Sequence, residues 1–170
     1  MKALHLVLVA LLFGAATRAH ADSATLTFTG NVLPGTCTVT PNVAVTLDDI
    51  QLPELRPGNV NLDYQKPAVL HFTNCVGVRT VEVTFDGTAD PTQGGQWKNL
   101  AMGGAANVAV ILLEGASGNT TLSKGMKRTV AIGGAATGRL DMRTSYYNHP
   151  GTVPTPGDVT AQITVIADYR

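Results

Sequence analysis

From Val159 to Tyr169 the chain alternates. Val159, Ala161, Ile163, Val165, Ala167 and Tyr169 fall on one face of an extended strand, and Thr160, Gln162, Thr164 and Asp168 fall on the other. A period of two sustained over that span excludes a helix, in which the same residues would scatter around the axis, and it demands one apolar face and one wet face. Shorter copies of the pattern recur. Leu26, Phe28 and Val32 share a face, with Gly30 in the fourth place of the row. Val43, Val45 and Leu47, then Ala68, Leu70 and Phe72, then Val81, Val83 and Phe85 repeat it. Leu140, Met142, Thr144 and Tyr146 add another row, while Val108 to Leu113 is apolar on both faces, as expected of a central strand covered on both sides. Turn chemistry separates these runs: Pro53 to Gly58, Asp86-Gly87, the Gly94-Gly95 and Gly103-Gly104 pairs, and a stiff connection from His149-Pro150-Gly151 to Gly157. With 18 Gly and 9 Pro in 170 residues, no twelve-residue window beyond the first twenty makes an amphipathic helix. The expected fold is an all-β sandwich of seven or so strands.

The first residues read as an address. Lys2 precedes an apolar run from Leu4 to Ala16, about 20 Å long as a helix and too short for the roughly 30 Å hydrocarbon core of a bilayer. Ala19-His20-Ala21 then suits signal peptidase, so residues 1–21 are expected to be a cleaved signal peptide, with Ala19 and Ala16 as other cleavage points. Loss of Lys2 and Arg18 turns a balance of 12 basic and 12 acidic residues slightly acidic, without the basic excess that nucleic-acid binding needs. Export makes the cysteines informative. Cys37 and Cys75 are the chain's 2 cysteines, and an oxidising compartment favours joining them. Two free thiols are the alternative, whereas two cysteines without a histidine cluster make a poor zinc site.

No catalytic constellation assembles. Beyond residue 21 the histidines are His71, which alternates with Leu70 and Phe72 and so faces solvent, and His149, in a Pro-Gly turn. No serine sits in a Gly-x-Ser-x-Gly elbow, and Gly115-Ala116-Ser117-Gly118 reads as a hairpin turn. No phosphate-cradling Gly-rich loop is present. Asp48-Asp49 reads as a strand end rather than a calcium site. Trp97, Tyr146 and Tyr147 could stack on a sugar, although core packing explains them at least as well. The chain is expected not to be an enzyme and to need neither cofactor nor metal.

Three stretches in this order resemble subunits of chaperone–usher pili, the type 1-like fimbrial proteins of Gram-negative bacteria. Asp22-Ser23-Ala24-Thr25-Leu26-Thr27-Phe28-Thr29-Gly30 resembles their N-terminal extension, with its glycine seven residues before Cys37. Phe72-Thr73-Asn74-Cys75, followed by Val81 to Gly87, resembles the second-cysteine strand and its neighbour. Pro156 to Tyr169 resembles the terminal strand with its penultimate tyrosine, and Gly104 to Val110 the mid-domain strand.

The resemblance implies an immunoglobulin-like β-sandwich lacking its last strand, with an open apolar groove. Residues 22–33 would be a donor-strand extension and 34–170 the pilin domain. A periodic occupant is implied too: a periplasmic pilus chaperone fills the groove until, at the outer-membrane usher, the extension of a neighbouring pilus subunit replaces it. Ala24, Leu26, Phe28 and Val32 would enter pockets of that neighbour, with Gly30 at a shallow one. Ile163, Val165, Ala167 and Tyr169 would line the acceptor edge, and basic groups of the chaperone would hold the carboxylate of Arg170. The product would be a fimbrium at the cell surface that supports adhesion. The alternative is a minor tip or adaptor subunit, or a small secreted adhesin that binds a host receptor glycan through Trp97 and the Tyr146–Tyr147 pair. A donor strand and a resident first strand alternate identically, so an ordinary first strand is the competing reading of 22–32.

Overall fold

The computed structural model describes residues 26–58, 60–117 and 119–170. The proposed signal peptide and Ala24 lie outside them. Seven strands form: β1 Thr36–Val39, β2 Lys66–Val76, β3 Thr80–Gly87, β4 Val108–Glu114, β5 Lys127–Ala131, β6 Gly138–Asn148 and β7 Ile163–Tyr169. β2, β3, β6 and β7 fall on alternating rows and β4 on the run apolar on both faces, whereas β1 and β5 have no such row. Single 3-10 turns at Leu52–Glu54 and Leu62–Tyr64 are the helical elements among the described residues. The strands make two sheets, one in the order β1-β2-β6-β4 and the other β5-β3-β7, with every strand pair antiparallel.

The inner rows of the two sheets meet in one core. Phe72 of β2, Val81, Val83 and Phe85 of β3, and the loop residues Trp97 and Leu122 are all at 0% exposure. At one end the Cys37–Cys75 disulfide ties β1 to β2 across Cα atoms 4.1 Å apart. Residues 33–170 make up this compact unit; residues 26–32 belong to the other unit of the chain and form no strand.

Two expectations need correction. β4 is buried on both faces, as its sequence requires, but it ends its sheet instead of sitting in the centre. Its outer edge is covered by single bridges: Trp97 exchanges hydrogen bonds with Val110 (2.8 and 2.9 Å), and Leu122 donates to the Leu112 carbonyl at 2.8 Å. Its second face lies under Val60 and Tyr147, which close a small cluster with Ile111 and Leu113. A strand needs a covered edge as much as a neighbour, and loops supply it here. The second correction concerns Val43, Val45 and Leu47. They alternate, but they form no strand, and Asp48 ends none; its carboxylate instead lies 2.6 Å from Lys66 Nζ. Alternation gives a segment a face, whereas a ladder also needs a partner.

Candidate functional site

The partner missing from the 43–50 segment is also missing from β7. On one side β7 pairs with β3 in the register Val81↔Tyr169, Val83↔Ala167, Phe85↔Val165 and Gly87↔Ile163; on the other it has no strand, being last in its sheet. Facing residues therefore differ in burial. Val81, Val83 and Phe85 are at 0% exposure, while Ile163, Val165, Ala167 and Tyr169, on the same side of the same sheet, are only half-buried. Across the gap, Val45, Leu47 and Ile50 are half-buried as well, and among the described residues 41–50 make no backbone–backbone hydrogen bond.

Between these two walls lies a groove of about 1190 Å³. Its floor is the core itself: Ala68 and Leu70 of β2, Met142 of β6, Val110 and Leu112 of β4, and Phe85 of β3. An apolar trough bordered on both sides by unpaired backbone has the chemistry of a vacant strand position. A segment with apolar residues at every second place would satisfy floor and edges together.

Local sequence builds the walls. Asn99 clamps the β7 approach: its Nδ2 donates to the carbonyls of Asp158 (2.9 Å) and Ala105 (3.1 Å), and its Oδ1 accepts from the Thr160 amide at 2.9 Å. The 101–106 loop lies directly on 157–158, with the Ala105 amide donating to Asp158 at 3.0 Å. Only glycine permits that approach, because a Cβ on Gly157 would lie 2.5 Å from the Ala105 nitrogen, and Gly157 has φ +151°. The opposite wall is held at its end by Tyr146, whose hydroxyl donates to the Asp48 carbonyl at 3.0 Å. Burial, reinforced by the Asp49 and Asp48 charges, raises the Tyr146 pKa and keeps that hydroxyl protonated. None of Asn99, Gly157 or the 43–50 wall was marked by sequence as part of a site.

At the far end of β7, the Arg170 main-chain oxygen accepts the amides of Arg79 (2.7 Å) and Thr80 (2.9 Å), and its guanidinium lies 3.3 Å from Glu82. The Lys127 hydrogen bond, with the charge of Arg170 adding to it, holds the Glu82 carboxyl below the usual carboxylate range. Leu26, Phe28 and Val32 are exposed at 76%, 89% and 101%, and a Cβ on Gly30 would meet nothing within 4 Å.

The aromatic platform considered for glycan binding does not exist as a surface. Trp97 is fully buried and donates its indole N–H to the Leu122 carbonyl at 3.0 Å, and Tyr147 is buried on the outer face of β6; Tyr146 is the half-exposed member of the three and lines the groove. His71 is exposed on β2 as expected, whereas His149 is buried with Nε2 3.1 Å from Asp90. That pair joins a loop to the end of β6, and among the described residues no nucleophile is bonded to it.

Comparison with known proteins agrees with this architecture. Residues 26–170 match the sequence profile of a family described as fimbrial protein. The S-fimbrial adhesin protein SfaS of Escherichia coli strain 536 is 34% identical over 157 residues, covering 89% of this chain and 88% of that protein. Protein FimG of Escherichia coli strain K12 is 37% identical over 128 residues, covering 74% of this chain and 72% of its own. A subunit from a solved chaperone–usher pilus, whose structure addresses rod uncoiling, superimposes with a TM-score of 0.64 over 91% of this chain and all of its own, at 13% identity. At that identity the likeness is one of fold.

Proposed function

From the chain's membership of the fimbrial protein family, as a subunit of the chaperone–usher type, we propose that it is a structural subunit that polymerises by donor-strand exchange. The observation that carries this reading is the groove. It is open along β7, floored by core residues, and walled opposite by an alternating segment with no ladder of its own. The occupant that fits is an alternating strand such as residues 24–32, with Ala24, Leu26, Phe28 and Val32 turned inward and Gly30 between them. It would run antiparallel to β7, since every neighbouring pair in the sheet is antiparallel and that pairing is the more stable per residue. Before assembly a periplasmic chaperone would occupy the same place, with the usher as the site of exchange. Burial of apolar floor by a better-fitting strand drives the step, and neither nucleotide nor cofactor is needed. Export of the chain and its display on the cell surface in a fimbrium belong to the same proposal, as does the absence of enzymatic activity. The relative named an S-fimbrial adhesin favours a role among the subunits that support adhesion.

The test is thermal unfolding of the chain lacking residues 22–32, with and without a synthetic peptide of those residues. A large and slowly reversed rise in melting temperature is expected. A truncated chain that is fully stable and indifferent both to its own peptide and to the extensions of related subunits would show a complete sandwich and overturn the reading.

A further inference from the structure

Twelve large apolar side chains are exposed among the described residues, and half of them fall on elements that the proposed function already involves. Three sit on residues 26–32, Val43 and Leu52 line the groove, and Ile166 lies on the outer face of β7. Six remain: Leu33 (82%) and Val76 (71%); Leu100 (41%), Met102 (100%) and Val153 (81%); and Leu62 (64%). Apart from Leu62, these fall in two places. Each is a poor place for an exposed apolar group unless something covers it.

The first place is the base of the extension. Gly35 packs so tightly on the turn after β2 that a Cβ there would lie 2.5 Å from the Gly77 carbonyl carbon and 2.8 Å from the Val76 oxygen. Thr36 pairs with Val76, and Pro34 fixes a backbone angle between Leu33 and that contact. The chain therefore leaves the body at a set point, with Leu33 and Val76 on the same corner. The second place is the end of the groove where β7 begins. The 101–107 and 152–158 loops are zipped together there. Asn107 Nδ2 donates to the Val153 carbonyl at 2.8 Å, and the Ala106 amide donates to Thr155 Oγ1 at 2.9 Å. Met102 and Thr155 line the groove at that end.

Strand polarity brings the two places together. A donor running antiparallel to β7 enters with residue 24 near Tyr169 and leaves with Val32 near Val159. Only residues 33–35 then separate Val32 from Thr36 in β1 of the donor, a span of at most about 14 Å even when fully extended. The donor's body must abut the 101–107 and 152–158 loops. We propose that Leu33 and Val76 of one copy of this chain pack against Met102 and Val153 of the next, a body-to-body joint at the end of the groove, beyond the donor strand itself. The contact is head-to-tail, so it propagates along a filament and does not close on itself. It is small, and its role is to fix the angle between successive subunits. The groove supplies the attachment. This inference rests on the donor-strand reading.

The test uses the mature full-length chain carrying Leu33→Cys and Met102→Cys, polymerised and treated with a short thiol-specific bis-maleimide. A covalent ladder is expected, together with no ladder from a Leu33→Cys, Arg79→Cys control, whose second cysteine lies at the other end of β7. A ladder from the control alone, or from neither pair in a polymer that has formed, overturns the joint. If the peptide of residues 22–32 stabilises the truncated chain yet the full chain stays monomeric, the groove stands and a second copy is not the partner, which also overturns it. Indifference to the peptide removes the donor-strand reading and the joint with it. Because all three sites are exposed, melting curves of the variants should match the parent. A second variant, Val153→Glu, changes a joint residue outside the groove lining; it should leave peptide stabilisation unchanged while loosening the filament in negative-stain images, and unchanged filament curvature would count against the joint.

Discussion

β3 and β7 are neighbours with the same alternating sequence and opposite fates. Val83 of β3 lies opposite Ala167 of β7, and Phe85 opposite Val165, so their inner residues look onto the same core. The β3 residues are at 0% exposure and their β7 partners are half-buried. The difference lies in the flanks: β3 has β5 on one side and β7 on the other, while β7 has β3 alone. A strand's burial is decided by how many of its edges are filled as well as by its own pattern. Here the unfilled edge is where the chain keeps its capacity to bind.

The largest effect should come from placing one charge on each strand. Val83→Asp buries a carboxylate with no partner and should cost more than about 4 kcal/mol, a large part of the roughly 5–15 kcal/mol that holds an ordinary domain together. Val165→Asp can turn its carboxylate into the open groove, so the domain should fold while losing its response to the 22–32 peptide. Circular dichroism and peptide-dependent melting separate the two. Equal unfolding by both variants would erase the contrast between the strands. A milder probe sharpens it. Ile163→Ala should cost less than the about 2–5 kcal/mol of a fully buried aliphatic truncation while the groove is empty, and approach that range once peptide fills it. Urea unfolding with and without peptide reads the change, and a cost that ignores the peptide would remove Ile163 from the site.

The same comparison shows what could be read from sequence. Period-two rows located β2, β3, β6 and β7, and the rule that exported cysteines pair gave Cys37–Cys75, because these depend on local order and compartment. Alternation could not tell β3 from β7, since edge occupancy is a property of topology. It also made Val43, Val45 and Leu47 look like a strand, though their ladder partner is absent from the described chain. Trp97 was open to both a core and a sugar-stacking reading, and its burial depends on Val110 and Leu122 arriving from other parts of the chain. Asn99 carried no signal at all: a clamp on residues sixty positions away follows no local pattern.

That clamp and the glycine beneath it make a third contrast, between the interior of β7 and its approach. Gly157→Ala should cost about 1–3 kcal/mol from the disfavoured backbone angle, with further loss as the new Cβ pushes the 104–105 backbone away. The disturbance falls on the wall where the donor's body is placed, so peptide affinity and polymer joint should weaken together, while the Cys37–Cys75 end stays intact. Hydrogen exchange would show the pattern: faster exchange at Ala105 and Thr160, and unchanged exchange at Val81 and Val83. Uniform acceleration would mean that the groove end and the disulfide end unfold as one unit.

The smallest effect concerns the outer row of β3. Glu82 is held low by its hydrogen bond to Lys127 and the charge of Arg170; Asp86 is held low by Lys124, whose Nζ lies 3.0 Å away, and by the Gly87 amide. A carboxylate whose folded pKa lies below its unfolded value stabilises the fold in full above the unfolded value, about 4. It loses that contribution as pH falls through the depressed folded value. Melting temperature should therefore decline between pH 4 and lower pH, and Lys127→Gln and Lys124→Gln should each flatten the decline. All these partners lie in solvent, so added salt should flatten it too. These ion pairs belong to β3, β5, the turn before β5 and the chain end and do not enter the groove. Peptide binding should accordingly keep its strength over the same pH range, and a parallel loss of binding would mean that the outer row of the sheet helps to hold β7 in place for its missing neighbour.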